Sequence, residues 1–268
     1  MNKIISLERV KFSYDKTKEF IQDLSFSINE GSYTCILGGN GSGKTTVLKL
    51  MCGLLYSDRG DVFVDGIIVN KKTVDEIRNY IGVVLQNPDS QYVAPSIKED
   101  IIFGLENHNI EPKNMDDIID VVAKKCGITN LLDKSPASLS GGEKQKGALA
   151  GALSIKPKVI ILDEAFSMLD AVSKKEIRDF VIKLNKEEHI TIISITHDSE
   201  EVLFADNIIV LDKGNLIFDG DQTQFYRESN NFSFVELPNI MKLEKELGFE
   251  NYLTEAEFFN VVGDGYEC

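Results

Sequence analysis

Residues 32–46 read SYTCILGGNGSGKTT, and this stretch decides the fold of the chain. The apolar, β-branched segment 32–37 predicts a strand, and an apolar stripe over residues 47–51 predicts a helix that begins near Gly43. Between them, residues 38–45 match the pattern G-x-x-x-x-G-K-[ST], which is typical of a loop that wraps a phosphate group. A strand, a glycine-rich loop and a helix in this order predict an α/β fold with a phosphate site at one edge of a sheet.

The residue types of this phosphate loop (residues 38–45) follow from what a phosphate needs. Glycines let backbone N–H groups turn toward phosphate oxygens, and the start of a helix adds a partial positive charge. Lys44 is expected to reach the β- and γ-phosphates of a nucleotide, and the Thr45 hydroxyl is expected to bind Mg²⁺. The predicted nucleotide contacts here are Gly38, Gly39, Asn40, Gly41, Ser42, Gly43, Lys44, Thr45 and Thr46. The alternative is a glycine-rich strand-to-helix turn with an incidental lysine.

An acidic pair follows a second apolar run. Residues 159–164 read VIILDE, a continuous apolar segment of the kind that is buried in a parallel sheet. Such a strand would deliver Asp163 to the carboxyl edge of the sheet, where open α/β sheets bind ligands. We expect Asp163 to hold Mg²⁺, directly or through water, and Glu164 to act as the general base on the attacking water. The alternative is a solvated acidic pair at a strand end.

A second glycine-rich loop, LSGGEKQ, occupies residues 139–145 and is called the signature loop below. Ser140 and Glu143 have the spacing of an N-terminal capping box, which accounts for these two residues. It does not account for Gly141 and Gly142, because glycine costs about 0.5–1 kcal/mol relative to alanine in a helix. Exposed backbone beside a helix N-terminus predicts a second anion site.

The motifs occur in a fixed order along the chain. They are the phosphate loop, Gln86, the signature loop, the apolar strand with its acidic pair, the segment SMLD at 167–170, and His197. In this order they resemble an ATP-binding cassette (ABC) ATPase, and the resemblance covers residues 3–220. It implies binding and hydrolysis of ATP with Mg²⁺. It also implies an α/β fold of the P-loop NTPase type, with a RecA-like core, an antiparallel β subdomain, a helical subdomain and a small C-terminal helical extension.

The resemblance gives the signature loop a partner. In ABC ATPases this loop binds the γ-phosphate of a nucleotide held by the phosphate loop of a second subunit, so that two cassettes enclose two ATP molecules. Ser140, Gly141 and Gly142 would then complete a neighbour's site, and Asp170 would join the two sites.

Three further residues take roles from the same resemblance. Gln86 corresponds to the glutamine that senses Mg²⁺ and the γ-phosphate, although a lone glutamine after a strand is usually a polar loop residue. His197, after the predicted strand TIISIT, corresponds to the histidine that contacts the γ-phosphate, although a single histidine is more often structural. Tyr14 resembles the aromatic residue that stacks on adenine, and the alternative is a tyrosine packed at a strand end.

Two positions depart from the usual pattern of the family. Lys146 replaces the arginine that is common after the last glutamine of the signature loop, which is Gln145 here. Lysine cannot offer arginine's planar set of hydrogen-bond donors. Phe166 replaces a small residue after the acidic pair. The first departure is expected to alter contacts of the helix after the signature loop without removing the loop itself.

Two local segments narrow the family. QNPDSQYV at 86–93 and DEAFSMLD at 163–170 resemble the ATPase subunits of energy-coupling factor (ECF) transporters. The resemblance implies three partners: a second ATPase subunit forming a heterodimer, a transmembrane coupling protein and a substrate-capturing membrane protein. It implies import of a vitamin or a transition-metal ion, with this subunit on the cytoplasmic face of the membrane. Rival interpretations are another ABC importer, a soluble mechanical ABC ATPase and a catalytically silent cassette.

Composition agrees with a peripheral subunit. The 268 residues are 43% hydrophobic and 27% charged, with a formal net charge of −14, which argues against a nucleic-acid partner. Four scattered cysteines suggest neither a metal site nor a disulfide framework. The amino terminus lacks the apolar centre of a signal peptide, and no apolar run approaches the roughly 18 residues of a membrane span.

The chain is predicted to divide at residue 220. Residues 1–220 form the nucleotide-binding domain, which includes a helical subdomain at about 87–155, and residues 221–268 form the C-terminal extension that pairs the two cassettes. Within this extension an amphipathic helix is expected over residues 237–247. Thr254 and Glu257 have the spacing of a capping box before a further helix.

Overall fold

A computed structural model describes residues 2–15, 19–232, 235–249, 252 and 257–258. Its strands are β1 (Lys3–Phe12), β2 (Ile21–Asn29), β3 (Tyr33–Leu37), β4 (Arg59–Val64), β5 (Ile67–Ile68), β6 (Ile81–Val84), β7 (Val159–Asp163), β8 (Thr191–Thr196), β9 (Asn207–Asp212) and β10 (Asn215–Gly220). Its helices are α1 (Lys44–Met51), α2 (Val74–Arg78), α3 (Ile97–Asn107), α4 (Pro112–Cys126), α5 (Gly141–Ser154), α6 (Ala171–Glu188), α7 (Gln222–Glu228) and α8 (Asn239–Glu246). The α/β fold class that the sequence predicts is confirmed.

The strands form two sheets. The larger has the order β10-β9-β3-β8-β7-β6, and its pairs are parallel except for β9 with β10. The smaller is antiparallel, with the order β2-β1-β4-β5. Every residue of β8 is buried, as expected for a central parallel strand covered on both faces.

The core lies on both faces of the larger sheet. Side chains of β3 alternate between the faces: Tyr33, Cys35 and Leu37 pack with the helical region, whereas Ile36 packs with the antiparallel sheet. The strands β3, β7 and β8 are parallel, so their carboxyl ends meet at one edge of the sheet. The phosphate loop, the acidic pair and His197 each follow one of these ends, which places the predicted site residues along a common edge.

A helical region lies between β6 and β7. The helices α3, α4 and α5 pack on one another, within the predicted range 87–155. Gly127 ends α4 at φ 67°, the left-handed conformation that favours glycine. Among the described residues no helix combines the length and apolar character that crossing a bilayer demands.

The C-terminal extension shares a buried core with residues that precede it in the chain. Phe225, Tyr226 and Met241 belong to the same buried cluster as Val202 and Val210. The helix expected over 237–247 is α8, whereas α7 was not predicted, although Asp221 and Gln224 cap it in a reciprocal box. Of the capping pair expected at Thr254 and Glu257, Thr254 lies outside the described residues.

Candidate functional site

The phosphate loop connects β3 to α1 in a conformation that needs glycine. Gly41 and Gly43 have φ values of 76° and 112°, which favour residues without a side chain. A Cβ on Gly38 would lie 2.4 Å from Ser42 Oγ and 2.5 Å from the Leu211 carbonyl oxygen. Ser42 Oγ is buried and has no hydrogen-bond partner among the described residues, so it is a donor available to a ligand.

Lys44 folds back over this loop. Its Nζ donates to the carbonyl oxygens of Gly38 and Gly39, at 2.7 and 3.2 Å. Burial lowers the pKa of Lys44, while the nearby charges of Glu164 and Asp163 act in the opposite direction. Phosphate oxygens are stronger acceptors for an ammonium group than carbonyl oxygens are, so a phosphate in the loop would compete for this Nζ.

Two adjoining pockets open from the loop. One, of about 290 Å³, is lined by residues 39–46 together with Tyr14, Phe20 and Glu164. The other, of about 500 Å³, is also lined by Tyr14, Phe20 and Gly41. Tyr14 is 61% exposed and packs edge-on against Phe12, and its hydroxyl lies 2.7 Å from Thr46 Oγ1. An exposed aromatic ring at the boundary of both pockets offers a flat surface beside the loop.

The acidic pair lies where the sequence places it. Asp163 ends β7, and Glu164 follows in a left-handed conformation at φ 49°. Burial, followed by repulsion from Glu164, raises the pKa of Asp163. A positive charge in this region would relieve that repulsion.

Gln86 and His197 converge on Glu164. The Gln86 Nε2 donates to Glu164 Oε2 at 2.9 Å and to Ser167 Oγ at 3.2 Å. The Nδ1 of His197 lies 3.3 Å from the same oxygen of Glu164. Three predicted catalytic residues, from segments far apart in the sequence, therefore meet at one carboxylate.

The signature loop starts α5 as a capping box. The Glu143 N–H donates to Ser140 Oγ at 3.3 Å, and the Ser140 N–H donates to Glu143 Oε2 at 2.9 Å. The bonds from the Ser140 backbone and side chain hold the pKa of Glu143 below its ordinary value. No signature-loop residue lines either pocket beside the phosphate loop. Among the described residues, the two glycine-rich loops therefore share neither of these pockets.

The two glycines of the signature loop have different surroundings. A Cβ on Gly142 would lie 2.7 Å from Ser173 Oγ and 3.0 Å from Ser173 Cβ, so packing on α6 accounts for this glycine. Among the described residues outside its own helix and its chain neighbours, the nearest atom to a Cβ on Gly141 would be Leu169 Cδ2 at 3.7 Å, an ordinary contact. Packing within the chain therefore leaves the glycine at 141 unexplained.

Asp170 caps α6. Its carboxylate accepts the backbone N–H groups of Val172 and Ser173 and the Ser173 hydroxyl. Its side chain is exposed to solvent, and the bonds from Ser173 lower its pKa. The structure thus shows a local capping role for this residue, next to exposed Met168 and Val172.

The two departures from the family pattern have local partners. Lys146 forms an ion pair of 2.8 Å with Glu176 on α6, and Phe166 is buried in the core. Gln145 is also buried, and its Nε2 donates to the Leu85 carbonyl oxygen at 3.3 Å. This bond ties the start of α5 to the residue before Gln86.

Sequence reasoning missed two residues of the site. Phe20 lines both pockets, and Ser167 accepts a hydrogen bond from Gln86. Ser167 lies inside the segment DEAFSMLD, so its position was a usable signal, whereas nothing in the sequence around Phe20 marks it.

Comparisons with known proteins agree with this geometry. A family model described as ABC transporter matches residues 21–167. The chain is 42% identical over 251 residues to the energy-coupling factor transporter ATP-binding protein EcfA of Malacoplasma penetrans, which covers 93% of this chain and 88% of that protein. It is 38% identical over 252 residues to EcfA1 of Listeria monocytogenes, with 92% and 90% covered.

Solved structures give the same fold. One is CbiO1 of Clostridium perfringens, part of the ABC transporter complex CbiONQ, with a TM-score of 0.77 and 32% identity over 91% of this chain and 100% of that chain. Another is the ATP-binding cassette MJ0796, a dimer in a post-hydrolysis state bound to ADP and Pi. Its TM-score is 0.72, with 25% identity over 81% of this chain and 98% of that chain.

Proposed function

This chain belongs to the ABC transporter ATPase family, and on that premise we propose that it is the ATP-hydrolysing subunit of an ECF-type importer. The observation that carries the proposal is the carboxylate of Glu164, which Gln86 and His197 both approach and which lines the phosphate-loop pocket. The names of the relatives support the ECF type.

The site residues divide the work of hydrolysis. Residues 38–46, which include Lys44, bind the phosphates of ATP. Tyr14 stacks on the adenine ring. Glu164 polarises the attacking water, and the bonds from Gln86 and His197 to its Oε2 orient the carboxylate. His197 also contacts the γ-phosphate.

The donor set suits Mg²⁺. Asp163 supplies a carboxylate with a raised pKa, and Thr45 and Gln86 supply neutral oxygen atoms. Among the described residues there is no cluster of three or more His, Cys, Asp or Glu side chains able to hold a metal by itself, which fits an ion shared with nucleotide phosphates. When held by Thr45, Asp163 and Gln86, Mg²⁺ would neutralise negative charge that develops on the phosphates during transfer.

A second subunit completes the site. Ser140, Gly141 and Gly142 contact the γ-phosphate on the partner's phosphate loop, and Asp170 lies at the junction of the two sites. Among the described residues, the signature loop lines neither pocket beside this chain's own phosphate loop, which supports a role for it at the phosphate loop of another subunit. The partner is a related cassette, so the working unit is a heterodimer.

The remaining partners are membrane proteins. The chain acts at the cytoplasmic face through a transmembrane coupling protein, together with a membrane protein that captures a vitamin or a transition-metal ion. The nucleotide-binding domain is assigned to residues 1–220, and the extension 221–268 pairs the two cassettes.

Affinity purification of the full chain from detergent-solubilised native membranes tests this function. The chain should co-purify with a second cassette and two integral membrane proteins, and the assembly should hydrolyse ATP. The matched control is Lys44→Ala, which should keep the same partners and lose hydrolysis. Full ATPase activity of the chain without any membrane protein would instead identify a soluble ABC ATPase.

A further inference from the structure

The turn that follows His197 is held by α6 on one side and by the strands β3 and β8 on another. This turn, residues 198–204, begins at Asp198, which accepts the Glu200 N–H at 3.0 Å and forms an ion pair with Lys174 of α6. Farther along, the guanidinium of Arg178 lies 4.4 Å from the centre of the Phe204 ring. The position of His197 therefore depends on how this turn is packed.

A buried carboxylate holds the second side. Glu201 is fully buried, and its Oε2 accepts the Tyr33 hydroxyl at 2.9 Å and the Ser194 hydroxyl at 3.2 Å. Tyr33 begins the strand that leads to the phosphate loop, and Ser194 lies on the strand that leads to His197.

The C-terminal extension holds the third side. The backbone N–H of Asn239, the first residue of α8, donates to Glu200 Oε1 at 2.8 Å. The Gln222 Nε2 donates to the Val202 carbonyl oxygen at 2.9 Å. Pro238, the residue that caps α8, offers no side-chain hydrogen bond, so the Glu200 carboxylate serves as a cap from another part of the chain.

Apolar packing makes the contact between α8 and the turn 198–204 rigid. Val202 and Met241 are both fully buried in one cluster with Ala205. Close-packed interiors transmit small displacements. If α8 shifts, the turn 198–204 therefore shifts with it.

We propose that Glu200 is a positioning residue that couples the C-terminal extension to His197, and through His197 to Glu164. The extension then sets the hydrolysis rate of its own subunit as well as pairing the cassettes. This inference rests on the proposed function, because it takes the roles of His197 and Glu164 from there. It assigns to the extension a regulatory contact with the site.

Two single substitutions remove the bond from opposite ends. Glu200→Ala deletes the acceptor. Asn239→Pro deletes the N–H donor and also replaces the Asn239 side chain. Proline is well tolerated at the first position of a helix, and Pro238, at ψ 147°, already has the extended backbone that a following proline needs. In the assembled transporter each should lower kcat for ATP by about fivefold, the scale of one hydrogen bond, with KM for ATP unchanged.

Rescue and non-additivity separate positioning from loss of stability. Glu200→Gln keeps an acceptor oxygen and should restore most of kcat, and the double variant Glu200→Ala, Asn239→Pro should be no slower than either single variant. Glu246→Ala, at an exposed site on the same helix, is the control and should match the wild type.

Three results would overturn the coupling. They are an unchanged kcat in both single variants, a rise in KM for ATP as large as the expected fall in kcat, or a fall in kcat in the double variant equal to the two single effects combined. A wild-type assembly that hydrolyses ATP while the variants match it refutes the coupling alone. A wild-type chain without ATPase activity or membrane partners refutes the proposed function.

Discussion

Gln86 donates a 2.9 Å hydrogen bond from its side-chain amide to the carboxylate of Glu164, across a separation of 78 residues in the sequence. The bond forms because β6 and β7 are parallel neighbours, so the residues that follow them emerge side by side. Gln86 also stands at the entrance to the helical region, and Gln145 at the start of α5 bonds to the residue before it. A movement of the helical region thus has a short route to Glu164.

Glu164→Gln should retain ATP binding and lose hydrolysis. Glutamine preserves the shape of the side chain and can still accept the bond from Gln86, but it cannot act as a base. A decrease in kcat of about a hundredfold or more is expected for loss of a general base. Single-turnover hydrolysis and nucleotide affinity measure the two effects separately, and ATP should trap the variant in a closed dimer. ATPase activity equal to that of the wild type would remove Glu164 from the role of base.

The glycines of the signature loop provide a matched pair. Gly141→Ala should fold normally, because its Cβ meets only an ordinary 3.7 Å contact, yet it should abolish hydrolysis in the assembled dimer. Gly142→Ala should lower the free energy of unfolding by about 1–3 kcal/mol, because its Cβ would overlap Ser173.

Thermal unfolding of both variants, with ATPase assays of the dimer and nucleotide affinity of the isolated subunit, distinguishes the two cases. Gly141→Ala should leave nucleotide binding by the isolated subunit intact. Loss of that binding would mean that the signature loop serves its own phosphate loop rather than a partner's.

The central strands of the larger sheet could be predicted because the apolar pattern of each lies within a few consecutive residues. The apolar runs of β7 and β8 lie within short windows of sequence. The helix α7 was missed because it spans only seven residues, so its capping residues were the main local signal.

The site could be predicted residue by residue but not as a set of contacts. The packing of Gly142 on Ser173, and of Phe20 beside the loop, depends on how distant segments meet in three dimensions. The sequence predicts both glycines of the signature loop from phosphate binding alone, whereas steric contact with α6 is a second reason for the glycine at 142.

Tyr14→Ala should weaken ATP binding about tenfold, because stacking of a base on an aromatic ring contributes about 1–3 kcal/mol. Tyr14→Phe keeps the ring and removes only the bond to Thr46, so its affinity should stay within about twofold of the wild type. Titration with a fluorescent ATP analogue measures both. If Tyr14→Ala lowered thermal stability while ATP affinity stayed the same, Tyr14 would be a packing residue at the end of β1.

Glu201→Gln should change how stability depends on pH. Burial raises the pKa of Glu201, so between its unfolded pKa of about 4.3 and its higher folded pKa the native state holds a proton that the unfolded chain has lost. Over that window the stability of the wild type falls as pH rises. Glutamine cannot ionise, so the unfolding free energy of the variant relative to the wild type should increase as pH rises through this window and stay constant above it.

Tyr33→Phe provides the opposing test. The bond from the Tyr33 hydroxyl lowers the pKa of Glu201 against the effect of burial, so its loss should raise that pKa further and extend the decline in stability to higher pH. In the Glu201→Gln background the same substitution should leave the pH dependence unchanged, because the carboxyl group that the Tyr33 hydroxyl bonds is gone. Urea unfolding at pH 4, 5, 6 and 7 measures all four proteins. An equal effect of Tyr33→Phe on the pH dependence in both backgrounds would assign the titration to another group.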